Sequence, residues 1–251
     1  PFTLPVWLAG LAWLLFAAAG RRDRALAALY LVPLALFVAM QARDYYLAPA
    51  YGVLLAAGTV AWERWLADRA GRVRRAAQTL AGAGLVVWAI AAAVLVLPIS
   101  PIGSRGWQWS ASVHDLFREE IGWPELVEMV ARVYDDLPEP EREVTGVLAG
   151  NYGEAGAVNL YGPALGLPTA ISGINSYWER GYGDPDPSTF IVLGYQGRDL
   201  DGLFRRCELV GPVTNAFGVE NEETQDYEGI FVCRELLRPW SEVWPGMRHF
   251  V

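Results

Sequence analysis

The stretch MQARDYYLAPAYGVLL, residues 40–55, sets an arginine, an aspartate and two adjacent tyrosines between two long apolar runs. Charged groups are costly beside lipid unless they sit at its surface. The stretch therefore reads either as the turn of a helical hairpin or as part of a site at that surface, and the flanking runs decide the fold around it. Residues 4–20, 25–42, 46–62 and 76–97 are four apolar segments, each close to the roughly 20 residues that cross a bilayer as a helix. One such segment alone reads equally well as a buried core helix. Four in succession, with Trp and Tyr near their ends, predict four transmembrane helices. A cleaved signal peptide has one apolar core, not four. The chain starts at Pro1 and is apolar from Phe2, which reads as the remainder of a longer protein whose earlier spans would be partners of these.

Arginine placement gives an orientation. Arg21, Arg22 and Arg24 follow the first run, and Arg64, Arg69, Arg72, Arg74 and Arg75 follow the third, whereas the link after the second holds only Arg43, next to Asp44. Short cytoplasmic links collect arginine, so the second link is expected outside, and so is everything after residue 97. Composition also breaks near Gly103. Up to residue 102 the net charge is +5; from residue 103 onward eleven arginines stand against twenty-four acids, a net of −13, for −8 in all. The expected domains are thus 1–102 in a bacterial plasma membrane and 103–251 as an extracytoplasmic domain. Its acidity excludes nucleic acid as a partner, since phosphate binding needs a basic face.

The second part starts with SPIGSRGWQWS, a linker whose two tryptophans suit the membrane interface. WPELVEMVARVYDDLPEPERE then reads as a helix, with Pro124 in its first turn and Leu126, Val130, Val133 and Leu137 at helical spacing. After Pro138 and Pro140, strand and helix signals alternate: VTGVLAG, PTAIS and STFIVLGY as strands, GEAGAVNLYG and DLDGLFRRC as helices, ELVGPVTN and GIFVCREL as closing strands. The alternation predicts a three-layer α/β domain with a mostly parallel sheet. Such sheets bind ligands beyond the carboxyl ends of their strands, where AGNYGEAGA and SGINSYWERGYGDPDP fall.

GNYGEAG does not have the glycine spacing of a dinucleotide site. Its helix start suits an anion, but Glu154 already complements the helix dipole there. It reads first as a structural turn, with a ligand-contacting loop through Asn151 and Glu154 as the alternative. GINSYWERGYG offers Asn175, Ser176 and Trp178 as a polar–aromatic loop of the kind that faces sugars or lipid headgroups, or as an ordinary loop with an inward aromatic. Asp184 and Asp186 resemble a metal pair, but alternating prolines make a stiff turn the simpler reading. His114 and His249 are the only histidines and are far apart, so no histidine-rich metal site is expected. Cys207 and Cys233 are open to a disulfide in an oxidising compartment or to remaining buried thiols.

RDYYLAPAYGVLLAAG, GWPELVEMVARVY, LAGNYGEAGAVNLYG, ISGINSYW and RPWSEVWPGMRHF together resemble the carboxyl-terminal portion of bacterial membrane glycosyltransferases of the dolichyl-phosphate-mannose–protein mannosyltransferase type. Relatives of that type include the aminoarabinose transferases that modify lipid A. The resemblance implies a transferase that takes a sugar from a polyprenyl-phosphate carrier, its donor substrate and lipid partner, on the outer membrane face. The acidic base of that family lies in an upstream outer loop, so no catalytic residue is assigned here, and Asp44 does not match its position. Carried over are Arg43, Tyr45 and Tyr46, which stand where the family has a basic residue and tyrosines near the carrier phosphate. The rival reading is a membrane-anchored domain that binds a ligand or partner without catalysis.

Overall fold

A computed structural model describes residues 3–41, 44–183 and 187–250. Two compact units follow one another, Pro1–Leu95 and Val96–Val251. The first is helical: α1 (Leu4–Phe16), a 3-10 turn (Ala18–Asp23), α2 (Arg24–Met40), a second 3-10 turn (Asp44–Leu47), α3 (Ala48–Ala67) and α4 (Gly71–Val96). Glycines bring α1 and α3 into backbone contact. A Cβ on Gly10 would run into the Leu54 carbonyl, and one on Gly58 into the Val6 carbonyl. Small residues at a crossing are how helices associate where no water drives them together. Leu14, Ala27, Tyr30, Leu47 and Leu54 are buried beside this crossing, and the Trp7, Tyr30 and Tyr51 rings meet with centroids 5.4–6.0 Å apart.

The expectation of four transmembrane helices is overturned. Among the described residues, two helical segments have the length and composition to cross a membrane, Ala18–Met40 with 23 residues and Gly71–Val96 with 26. The first apolar run breaks because Ala17 is extended, leaving α1 with 13 residues, about 20 Å long at 1.5 Å per residue. α3 is longer but holds Glu63 and Arg64 within its last turns. α4 differs from the other three in having no buried residue at all.

In the second unit, Ser104 caps α5 (Arg105–Val113), which leads through α6 (Leu116–Glu119) into α7 (Trp123–Asp135) and the single turn α8 (Glu139–Arg142). Then come β1 (Thr145–Ala149), α9 (Tyr152–Tyr161), β2 (Ala170–Ile171), β3 (Thr189–Leu193), α10 (Gly197–Leu200), β4 (Phe204–Gly211), α11 (Glu222–Gln225), β5 (Ile230–Leu236) and α12 (Trp240–Val243). The strands lie in the order β2-β1-β3-β5-β4. Side chains alternate across them as strand geometry requires. Val147, Ala149, Ile191, Leu193, Ile230 and Val232 face α7 and α9. Leu148, Phe190, Val192, Phe231 and Cys233 face Trp240, Val243 and Trp244.

The sheet is mixed, not mostly parallel. β1 pairs in parallel with β2 and β3, but β5 is antiparallel to both β3 and β4. The expected helix DLDGLFRRC is the reason for the difference. Only the single turn α10 forms there, and Phe204–Cys207 already belongs to β4. β5 then returns between β3 and β4, so two of the four strand pairings are antiparallel. β4 is a largely exposed edge carrying Arg205, Arg206 and Glu208, charges that discourage pairing with another chain.

Candidate functional site

Sequence reasoning pointed to two places, the α2–α3 link and the carboxyl edge of the sheet. In the link, Gln41 ends α2 in a left-handed conformation, φ 53°, its N–H returned to the Phe37 and Val38 carbonyls. Ala42 and Arg43 lie outside the described residues, as does the side chain of Asp44. Beyond them Leu47 is buried as an anchor, and Pro49 opens α3. Tyr45 and Tyr46 are left exposed. Their rings meet edge to face at 4.7 Å, and Tyr46 touches Phe37 of α2 with centroids 6.0 Å apart.

At the sheet edge, β1 and β3 are the pair from which the chain departs in opposite directions, β2 lying to one side and β5 to the other. Open α/β sheets bind ligands in that crevice. Here the protein fills it with its own carboxylates. Asn151 Oδ1 accepts from the Gly153 and Glu154 amides at 2.7 and 3.0 Å, while Glu154 Oε2 accepts from the Gly150 and Asn151 amides at 2.8 and 3.1 Å. This is a reciprocal capping box on α9. Glu154 lies against Gly194, φ +66°, where any side chain would collide with its carboxylate. The amides that would hold a bound anion are thus already taken.

Glu154 is fully buried and Glu223, brought in by α11, is 6% exposed. The two carboxyls are close neighbours, and Glu154 Oε1 has no hydrogen-bond partner among the described residues. Burial, and then the neighbouring Glu223, hold Glu154 well above the ordinary carboxylate range. Burial pushes Glu223 up to about 7. Two like charges in so dry a place disfavour each other's ionisation. Burial also raises the Tyr195 phenol, with Glu154 adding to it. Asn221 fixes α11 by donating from Nδ2 to the Ile121 and Arg118 carbonyls at 2.8 and 3.4 Å.

The loop after β2 does something different. The Asn175 amide donates to the His249 carbonyl at 2.8 Å, and the His249 amide to that of Gly173 at 3.0 Å. Trp178 and Trp244 each donate an indole N–H to the other's carbonyl, at 2.8 and 3.1 Å. The Arg248 guanidinium stands 4.5 Å over the Trp178 ring. Asn175 and Trp178 therefore clasp the tail, and of the three residues expected to face a ligand in this loop, Asn175, Ser176 and Trp178, only Ser176 is exposed. Tyr177 instead packs near Gly156, with Arg180 4.4 Å above its ring. With Tyr182 these residues line a groove of about 400 Å³ beside β1 and β2. Cys207 and Cys233 are opposed across β4 and β5 and joined as a disulfide.

Sequence reasoning did not find Glu223 or the groove. NEET, an N-cap pattern at Asn221, was the one available sign of α11. Asp184 and Asp186 lie outside the described residues; among those described, no group of three or more His, Cys, Asp or Glu is placed to hold a metal ion. Comparison with protein-family models, curated proteins and solved structures finds no match.

Proposed function

We propose that the chain is the carboxyl-terminal part of an integral-membrane glycosyltransferase, one that takes a sugar from a polyprenyl-phosphate carrier on the outer face of a bacterial plasma membrane. The observation that carries this reading is the placement of Tyr45 and Tyr46. They are exposed at one end of an apolar helical segment that has Arg21, Arg22 and Arg24 at its other end. Tyrosine hydroxyls donate to phosphate oxygens, and an arginine in the same link adds a charged, two-pronged donor. Stabilising a departing phosphate is the electrostatic work that such a transfer needs. No residue of this chain is assigned as the base.

α4 supports the location. Arg72, Arg74 and Arg75 sit at its start, which belongs on the cytoplasmic side, so in this reading the 20-residue α3 returns the chain to that side from Tyr46, its Glu63 and Arg64 at the cytoplasmic end. Its far end leads into the second unit, which is then extracytoplasmic, a compartment where the Cys207–Cys233 bond persists.

The test is carrier binding and sugar transfer by the full-length protein in lipid nanodiscs. A hydrogen bond to a charged group is worth about 1.5–3 kcal/mol, so Tyr45→Phe with Tyr46→Phe should weaken binding of a polyprenyl phosphate on the order of a hundredfold. Arg43→Ala should cost at least as much. Unchanged binding and transfer in both variants would remove the phosphate role. The groove lined by Tyr177, Arg180 and Tyr182 favours a second reading, a membrane-anchored domain that binds a ligand without catalysis. That reading gains if Tyr182→Ala abolishes ligand binding while the link variants change nothing.

A further inference from the structure

The second unit is strongly acidic, yet residues 97–114, LPISPIGSRGWQWSASVH, hold no carboxylate and a single arginine, Arg105. Half of this stretch is α5, and its two sides differ. Trp107, Ser110 and Ala111 are buried, with Trp107 and Ala111 closing a small core with Phe117 and Val219. On the other side Trp109 and Val113, one helical turn apart, are 53% and 57% exposed, and Leu116 at the start of α6 is 59% exposed. The fold thus turns one tryptophan of the WQW triplet inward and the other outward. An indole combines a broad apolar body with one N–H, which suits it to the boundary between acyl chains and headgroups.

Two further observations identify what covers this face. Eight residues separate Val96, the last residue of α4, from Arg105, the first of α5. A chain of that length reaches at most about 30 Å, so α5 stays near the end of an apolar helix none of whose residues is buried. The charge pattern agrees. An anionic lipid surface repels carboxylates, and α5 itself carries none, the first acid being Asp115, two residues beyond Val113. We infer that α5 lies flat in the headgroup layer of the bilayer, with Trp109 and Val113 inserted and Trp107 holding the protein side. A short helix of this kind fixes the height of the second unit above the membrane. The inference rests on α4 crossing that membrane.

The test uses the full chain in nanodiscs of neutral and anionic lipid, with a nitroxide on Val113→Cys. The described chain has no free cysteine, so an introduced one is labelled selectively. Val87→Cys in α4 and Glu128→Cys on the exposed side of α7 are the references for lipid and water. The Val113→Cys label should collide with dissolved oxygen and lose contact with a water-soluble nickel chelate, ranking between the two references. If it meets the chelate as freely as the Glu128→Cys label while Val87→Cys is shielded, the docking is wrong and the membrane reading stands. If Val87→Cys also meets the chelate, both are wrong. Shielding from both collision partners, with spin–spin broadening, would show that a second copy covers the face and would equally overturn the inference.

Discussion

Glu154 and Glu223 titrate against the fold, and the sign of their effect can be worked out. Their pKa values are raised above the ordinary 4.5, to about 7 for Glu223, and Glu154 is raised as well. The folded state therefore binds more protons than the unfolded chain between those limits, so the stabilisation is complete below about 4.5 and is lost as pH rises through 7. Glu119, raised by burial, acts in the same direction. Glu141, lowered by its bond to Arg234, acts oppositely, but only as pH falls below the ordinary glutamate range. Unfolding of the second unit, followed by near-ultraviolet circular dichroism, should thus show stability falling from about pH 5 to about pH 8, by on the order of 3–4 kcal/mol for Glu223 at about 1.4 kcal/mol per pKa unit. Glu223→Gln removes the Glu223 titration and its charge beside Glu154, so its profile should be flatter and lie above the parent's at the alkaline end. A variant profile parallel to the parent's would dismiss the raised pKa of Glu223. Half of this pair was legible in the sequence. Asn151 and Glu154 have the spacing of a capping box, and Glu154 reads as an obstacle to anion binding from that alone. Its partner lies 69 positions further on, in a connection with no periodicity, and no local rule reports a contact that only the sheet topology creates.

Among the elements, β4 and β5 show what patterning can and cannot tell. Their apolar and β-branched residues mark strands, but strand direction is not written in a strand. It was inferred from the helices expected between strands, and the inference failed where DLDGLFRRC forms only one turn before β4. The antiparallel pairing places Cys207 opposite Cys233, 26 positions apart in sequence. Closing a loop of that size stabilises by about 3 kcal/mol in the chain-entropy account. Cys207→Ser with Cys233→Ser should lower stability by about that amount and abolish the parent's sensitivity to dithiothreitol. Equal stability with and without reductant in the parent would show that the bond contributes nothing. In the first unit, the α1–α3 crossing depends on Gly10 and Gly58 meeting the opposite backbone. Gly58→Val forces the helices apart, and overpacking of this kind costs about 1–3 kcal/mol. Gly52→Val, with open space around it, is the control and should leave thermal unfolding of the helical unit nearly unchanged. These glycines lie in runs that sequence reading treats simply as apolar, so their pairing was not legible.

At the scale of the whole molecule, hydropathy overcounted because it measures composition along a window and not where a helix ends. Ala17 ends α1 early, and Glu63 and Arg64 sit inside α3; both facts depend on backbone geometry that an apolar average does not see. Charge asymmetry is the stronger whole-molecule signal, since it does not depend on how many helices cross. α4 carries the orientation of the proposed topology: three arginines at its start, twenty-one further residues without a charge from Ala76 to Val96, and no buried residue. This gives a prediction that needs neither the transferase reading nor a count of spans. A cysteine at Glu128 should react with a membrane-impermeant maleimide in intact cells, whereas one at Ala70, exposed between α3 and α4, should react only after the cells are permeabilised. The reverse pattern would put the acidic unit in the cytoplasm, where the Cys207–Cys233 bond would be reduced. Labelling at both positions without permeabilisation would mean that α4 does not separate two compartments, and its bare apolar surface would then need a protein partner in place of lipid.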